Sequence, residues 1–194
     1  MTTEEAITTL RRFNIWRRYD GPAGCAPKMP DPKLIGQAMD VLCDYAERRI
    51  KTPKYFKLEE LLRSKIALEN KIENLPSWED VENLRELAFD LDMIREDVEC
   101  TTNVSSGFRC DALNNVVGGV KDSAHKTGNA SDLQCPSLMF DKFCERAVNS
   151  IKKRGLRFDQ LIVETNSKTK AKWLHYGKRN NAGQQRMQIK TMTK

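Results

Sequence analysis

The chain has 194 residues, 39% of them hydrophobic and 31% charged, with a formal net charge of +6. That balance excludes a disordered polyelectrolyte, and no apolar run approaches the ~18 residues a membrane helix needs. The length allows one buried core of roughly 100 to 150 residues plus an appendage. The start, Met1 to Glu5, lacks the basic and apolar regions of a secretory signal, so the expected setting at synthesis is the cytoplasm.

Taken in chain order, Thr3 can cap a helix running to about Tyr19. The Gly- and Pro-rich stretch from Asp20 to Pro32 breaks it. Asp31 as cap and Pro32 in the first turn start a second helix to about Ile50. On it Ile35, Ala38, Met39, Leu42, Tyr45 and Ala46 recur as an apolar stripe. Residues 1–50 are therefore expected to be a helical accessory segment and 51–194 the main domain.

Within that domain, Leu58 to Glu69 reads as a short helix, and Pro76-Ser77-Trp78 opens another whose Val81, Leu84, Leu87, Ala88 and Leu91 face inward. Phe140 to Arg154 carries a further stripe, closed by Gly155. Strand candidates are Thr101–Ser105, Asp132–Cys135, Gln160–Glu164, Trp173–Tyr176 and Gln185–Met192. Helices against a small, mainly antiparallel sheet make an α+β domain.

The six cysteines show no C-x-x-C spacing. A reducing compartment favours free thiols, and Cys43 and Cys144 fall on expected buried helix faces. A Cys100–Cys110 bridge formed after release stays open.

Only two histidines occur, His125 and His175. The first lies seven residues before Asp132, across a bend that Gly128 tolerates; the second follows the apolar run ending in Glu164. Two imidazoles, one carboxylate and a place for water is the ligand count of a catalytic zinc. On these residues alone, a polar loop with His125 facing solvent is the plainer reading.

A longer pattern changes that balance. Ser106-Gly107-Phe108-Arg109, Leu113-Asn114, Val117-Gly118-Gly119 and then Ser123, His125, Gly128, Ala130 and Asp132 form one dense run. This run resembles the zinc D-alanyl-D-alanine carboxypeptidase family, which includes bacterial wall peptidases, vancomycin-resistance dipeptidases and phage endolysins. The likeness extends over about Tyr55 to Ile189.

The resemblance implies one zinc per chain on His125, Asp132 and His175, with Arg109 and Ser123 holding a substrate carboxylate. Many relatives place an acid three positions before the last histidine; here that position is Lys172. The subgroup this chain looks most like ends a strand with the acid instead, which makes Glu164 the expected general base and Asp159 the second candidate. A hairpin through Asn166 to Lys172 brings Glu164 toward His175.

The expected activity is hydrolysis of peptidoglycan stem peptides, as a D-Ala-D-Ala carboxypeptidase or an L-Ala-D-Glu endopeptidase of phage or prophage origin that reaches the wall after release. The alternative is a non-catalytic wall-binding or phage structural protein that keeps the fold. From Thr165 to Lys194 there are eight Lys or Arg and no acid. Such a tail suits an anionic wall polymer; no motif accompanies it that would specify nucleic acid.

Overall fold

A computed structural model describes residues 1–50 and 52–193. The chain divides into two compact units, Met1–Thr52 and Pro53–Lys194. The expected boundary at residue 50 falls beside Lys51, which lies outside the described residues.

The first unit is a helical hairpin of α1 (Thr3–Arg17) and α2 (Pro32–Ile50). Thr2, not Thr3, caps α1: its hydroxyl accepts from the Glu5 amide, and the Glu5 carboxylate accepts from the Thr2 amide at 2.7 Å. The reciprocal pairing favours Thr2 because Glu5 then stands at the third helical position. Asp31 accepts from the Lys33 amide at the start of α2. Ala6, Ile35 and Ala38 are buried, whereas Met39 and Tyr45 are exposed. Cys43 is exposed as well, contrary to the buried face expected for it.

The second unit is α+β. Its helices are α3 (Leu58–Leu62), α4 (Lys65–Glu69), α5 (Trp78–Val98), α6 (Asp111–Val116) and α7 (Phe140–Arg154). Its strands are β1 (Asn103–Ser106), β2 (Ala130–Gln134), β3 (Gln160–Thr165), β4 (Lys172–Gly177) and β5 (Gln188–Thr193). The sheet order is β1-β2-β4-β3-β5, antiparallel throughout except for the parallel pair β3–β5.

Alternation sorts the strand residues between two faces. Leu133, Leu161, Leu174 and Tyr176 join Leu84, Leu87, Leu91 and Ile94 of α5 and Phe143, Ala147 and Ile151 of α7 in one core. The opposite face carries Asp132, His175, Ile162 and Glu164, the positions between them. One sheet thus divides its labour: hydrophobic burial on one side holds the strands in register, and that register sets the polar residues on the other.

Three features fix α5, at its start, against α7 and to the end of β2. Ser77 caps α5 with Asp80 in a reciprocal capping pair. Asp97, near the other end, accepts from Ser150, Lys153 and Arg154 of α7 at 2.7–2.9 Å. Just beyond α5, Cys100 is joined to Cys135 in a disulfide. The Cys100–Cys110 bridge left open above is therefore not the one formed, and Cys110 is free. The ladder explains the choice. Asn103 pairs with Gln134, so Cys100 before β1 and Cys135 after β2 flank the same end of the pair, whereas Cys110 lies past the other end.

The expected helix 58–69 is two short helices, since Arg63 adopts an extended conformation between them and Ser64 caps the second through the Ala67 amide. Among the described residues no helix is long and apolar enough to cross a membrane.

Candidate functional site

The site is built where β2 and β4 run side by side. Asp132 pairs with His175 across the ladder, so both side chains rise from the same face. The third member comes from a one-turn 3-10 helix, Ala124–Thr127, directly before β2. Gly128 ends that turn with φ of 67°, and a Cβ there would stand 2.5 Å from the Asp80 carbonyl oxygen. Glycine is required twice over, for the left-handed bend and for the close approach to α5. Asn83 of α5 holds the same turn by donating to the Thr127 carbonyl at 2.9 Å.

His125, Asp132 and His175 converge. Their facing atoms form a small triangle: His175 Nδ1 to Asp132 Oδ1 is 2.9 Å, His125 Nε2 to Asp132 Oδ1 is 3.3 Å, and His125 Nε2 to His175 Nδ1 is 3.2 Å. Ligands at ~2.0–2.1 Å around a tetrahedral zinc are about 3.3 Å apart. The donor set and its spacing therefore fit a zinc ion.

The protonation states suit a cation too. Burial holds the His125 imidazole below its ordinary pKa, toward the neutral form that ligates metals. For Asp132, burial alone would raise the pKa. The charge and hydrogen bond of His125, with those of His175, outweigh it and keep the carboxyl well below the usual carboxylate range.

The surrounding groups fix each ligand. His125 Nδ1 donates to the Gly107 carbonyl at 2.7 Å, which leaves Nε2 with its lone pair toward the other two. Gly107 itself is pressed against α3: a Cβ would come within 2.1 Å of the Leu61 carbonyl oxygen, and the Phe108 amide donates to that same oxygen. Leu113 and Asn114, which the sequence pattern also marks, shape the neighbouring loop; the Asn114 amide group donates to the Val120 carbonyl at 3.0 Å.

Arg109 also reaches into the cluster itself. Its Nη2 donates to Asp132 Oδ2 at 2.7 Å and its Nε to the Ser106 hydroxyl at 2.8 Å. The guanidinium thus steadies the carboxylate whose other oxygen faces the histidines. Ser123 is buried two residues before His125. Among the described residues its hydroxyl makes no hydrogen bond to Arg109. Sequence reasoning missed Ser106 and the Gly107 carbonyl as supports, although both lie inside the marked run.

Glu164 is buried on β3, opposite Trp173 of β4, while Ile162 is opposite His175. Glu164 therefore shares the face of His175, one diagonal step away. Lys172 is three residues before His175 and so turns to the other face, 3.9 Å from Asp141 and over the Phe140 ring of α7. An acid at position 172 would therefore stand beside α7, on the face away from His175. Asp159 precedes β3 and is taken up by Arg186, whose Nε and Nη2 donate to it at 2.6 and 2.8 Å.

A family model described as Peptidase M15 matches residues 54–169. The chain belongs to the peptidase M15 family. These are zinc-dependent metallopeptidases, and the matched segment carries His125 and Asp132 but stops short of His175. His175 joins His125 and Asp132 through the β2–β4 register. A search of curated proteins found no match.

Proposed function

We propose that this M15 peptidase hydrolyses the stem peptides of bacterial peptidoglycan, as a D-Ala-D-Ala carboxypeptidase or an L-Ala-D-Glu endopeptidase serving phage or prophage lysis. The observation that carries the reading is the triangle of His125, Asp132 and His175, with sides of 2.9–3.3 Å, on a sheet face that Glu164 shares with His175.

His125 Nε2, Asp132 Oδ1 and His175 Nδ1 would hold one zinc per chain, leaving a fourth position for water or substrate. Zinc so held brings the pKa of bound water toward neutrality and polarises a peptide carbonyl. The protein supplies the rest. The Glu164 carboxylate takes the proton of the attacking water and passes it to the departing amine. Arg109 holds the Asp132 carboxylate in place. Its Nη1, which makes no hydrogen bond among the described residues, is the edge left for a carboxylate of the substrate, and Ser123, two residues before His125, is the second group for it.

Synthesis in the cytoplasm and action on the wall after release are part of this reading, as is attraction of the basic C-terminal stretch to an anionic wall polymer. Purified muropeptides digested with the zinc-loaded protein and weighed by mass spectrometry test the chemistry. Loss of one terminal D-Ala supports the carboxypeptidase, and cleavage beside D-Glu supports the endopeptidase. Intact muropeptides with zinc bound would instead favour a wall-binding protein that keeps the fold. Salt-sensitive retention on DNA, indifferent to zinc, would favour a nucleic-acid binder.

A further inference from the structure

The basic C-terminal stretch is less free than its composition suggests. Lys172 faces Asp141, Lys178 donates to Asp90 at 2.7 Å, Arg179 to Glu86 at 2.8 Å and Arg186 to Asp159 at 2.6 Å. Lys168 and Lys170 are exposed in the β3–β4 loop. Lys190, on β5, is a different case.

The strand registers place it. Asp132 pairs with His175, His175 with Ile162, and Ile162 with Lys190, a single row that crosses β2, β4, β3 and β5. Directly paired residues share a face. Two contacts confirm the assignment at β5: Gln160 donates to Gln188 across the β3–β5 pair at 3.2 Å, and Ile189, between Gln188 and Lys190, joins Phe158 and Leu161 on the side facing α7. Lys190 therefore belongs to the same sheet face as His175 and Glu164.

Strands are spaced about 4.8 Å apart, so Lys190 stands about 10 Å from His175 along the row. Three residues of an extended peptide cover about that span. Between them lies Ile162, an apolar step with 6% of its surface exposed. Lys190 is exposed and has no ion pair among the described residues. Asp159, just before β3, is already engaged by both prongs of Arg186.

We propose that Lys190 is a specificity-determining residue: it receives a carboxylate of the substrate peptide within about three residues of the bond cut, on the far side of the buried Ile162 from His175. This rests on the peptidase reading above. An uncharged or amidated peptide would lose that contact, so the site would select acidic stems over their amidated counterparts.

The test compares a stem pentapeptide, L-Ala-γ-D-Glu-L-Lys-D-Ala-D-Ala, with the same peptide amidated at the D-Glu α-carboxyl. Affinity for the zinc-loaded full chain is read by calorimetry, and kcat and KM from product release. The acidic peptide should bind about threefold to tenfold more tightly, with the difference carried by KM, as one solvent-facing charge pair allows. Lys190→Gln should bring the ratio of the two peptides to about one, and Lys190→Glu should invert it. Lys168→Gln removes an equal charge from the hairpin loop and should leave the ratio as it is.

A ratio unchanged in Lys190→Gln, or lost equally in Lys168→Gln, overturns the assignment while hydrolysis stands. Binding that depends on Lys190 without hydrolysis supports it and overturns the catalytic reading. Failure of both peptides to bind overturns both.

Discussion

Each of the three clustered residues is held by something other than its two companions. His125 is fixed by the Gly107 carbonyl, Asp132 by Arg109, and His175 by the β4 backbone between β2 and β3. Removing any one should therefore leave the fold and remove the cation. Zinc content measured on purified protein should be about one per chain, and His125→Ala or His175→Ala should abolish tight binding, because two protein ligands rarely retain a catalytic zinc. Full zinc in both variants would sink the ligand set.

Glu164→Gln makes a separate demand. The amide keeps size and polarity but cannot take the water's proton, so zinc and stability should persist while muropeptide cleavage falls by on the order of 10²–10⁴. Asp159→Asn should act in the opposite way, weakening the Arg186 contact and thermal stability with cleavage retained. A dead Asp159 variant beside an active Glu164 variant would reverse the assignment.

At this scale the meeting of His125 with Asp132 was legible, because both stand in one dense run of fixed residue types. The attachment of Arg109 to Asp132 was not. A guanidinium 23 residues from a carboxylate carries no sign in sequence of which anion it meets.

Among the elements, α5 does most to place the site. It receives the His125 turn through Asn83 and Gly128, packs its apolar face on the sheet, and ends beside the Cys100–Cys135 disulfide. That bridge closes a loop with a sequence separation of 35, which spans β1, α6, the His125 turn and β2. Loop-closure entropy assigns such a link about 3–4 kcal/mol. Reduction, or Cys135→Ser, should lower the melting temperature of the metal-free protein by several degrees; an unchanged melting temperature would show that the bridge constrains nothing.

The α5–α7 clamp gives an acid-dependent signature. Hydrogen bonds from Arg154, then Lys153, hold the Asp97 carboxyl far below its ordinary value. A folded pKa below the unfolded one means that the stabilisation is complete above the ordinary carboxylate pKa and is lost as pH falls toward the folded value. In metal-free protein the melting temperature of Asp97→Asn should lie below wild type near pH 6, with the gap closing as pH falls below about 4. A gap that widens in acid would contradict this.

The boundaries of α7 were legible to the residue, since an apolar stripe of period 3–4 ends at Gly155 in a left-handed cap. The start of β5 was not: Gln185 is drawn to the Arg157 and Lys178 carbonyls and Met187 takes φ of 56°, so pairing begins only at Gln188. The disulfide partner was equally hidden, because it depends on which strands pair rather than on cysteine spacing.

At the scale of the whole molecule, the two units differ in how they are built. The sheet unit owns a continuous core from Phe56 to Tyr176 and every residue of the candidate site. Among the described residues, the helical hairpin buries only the apolar Ala6, Ile35 and Ala38 and leaves Ile7, Ile15, Leu34, Met39 and Tyr45 exposed. About 50 residues of two-helix hairpin cannot bury enough apolar surface to offset their chain entropy. The stripe on α2 was legible in sequence only in part: Ile35 and Ala38 are buried, whereas Met39, Tyr45 and Ala46 are exposed.

The asymmetry yields a prediction about separability. A chain beginning at Pro53 keeps the Asp92 carboxylate that accepts the Tyr55 and Phe56 amides at 3.0 and 3.2 Å, so its new N-terminus stays tied to α5. It should melt cooperatively, bind zinc as the full chain does and cleave the same muropeptides. Residues 1–52 alone should show little cooperative unfolding. Circular dichroism melts and zinc titration of the two fragments decide the matter. A well-folded Pro53 fragment without zinc would mean that the hairpin supports the site, and a cooperatively folded 1–52 fragment would mean that the hairpin's own packing suffices.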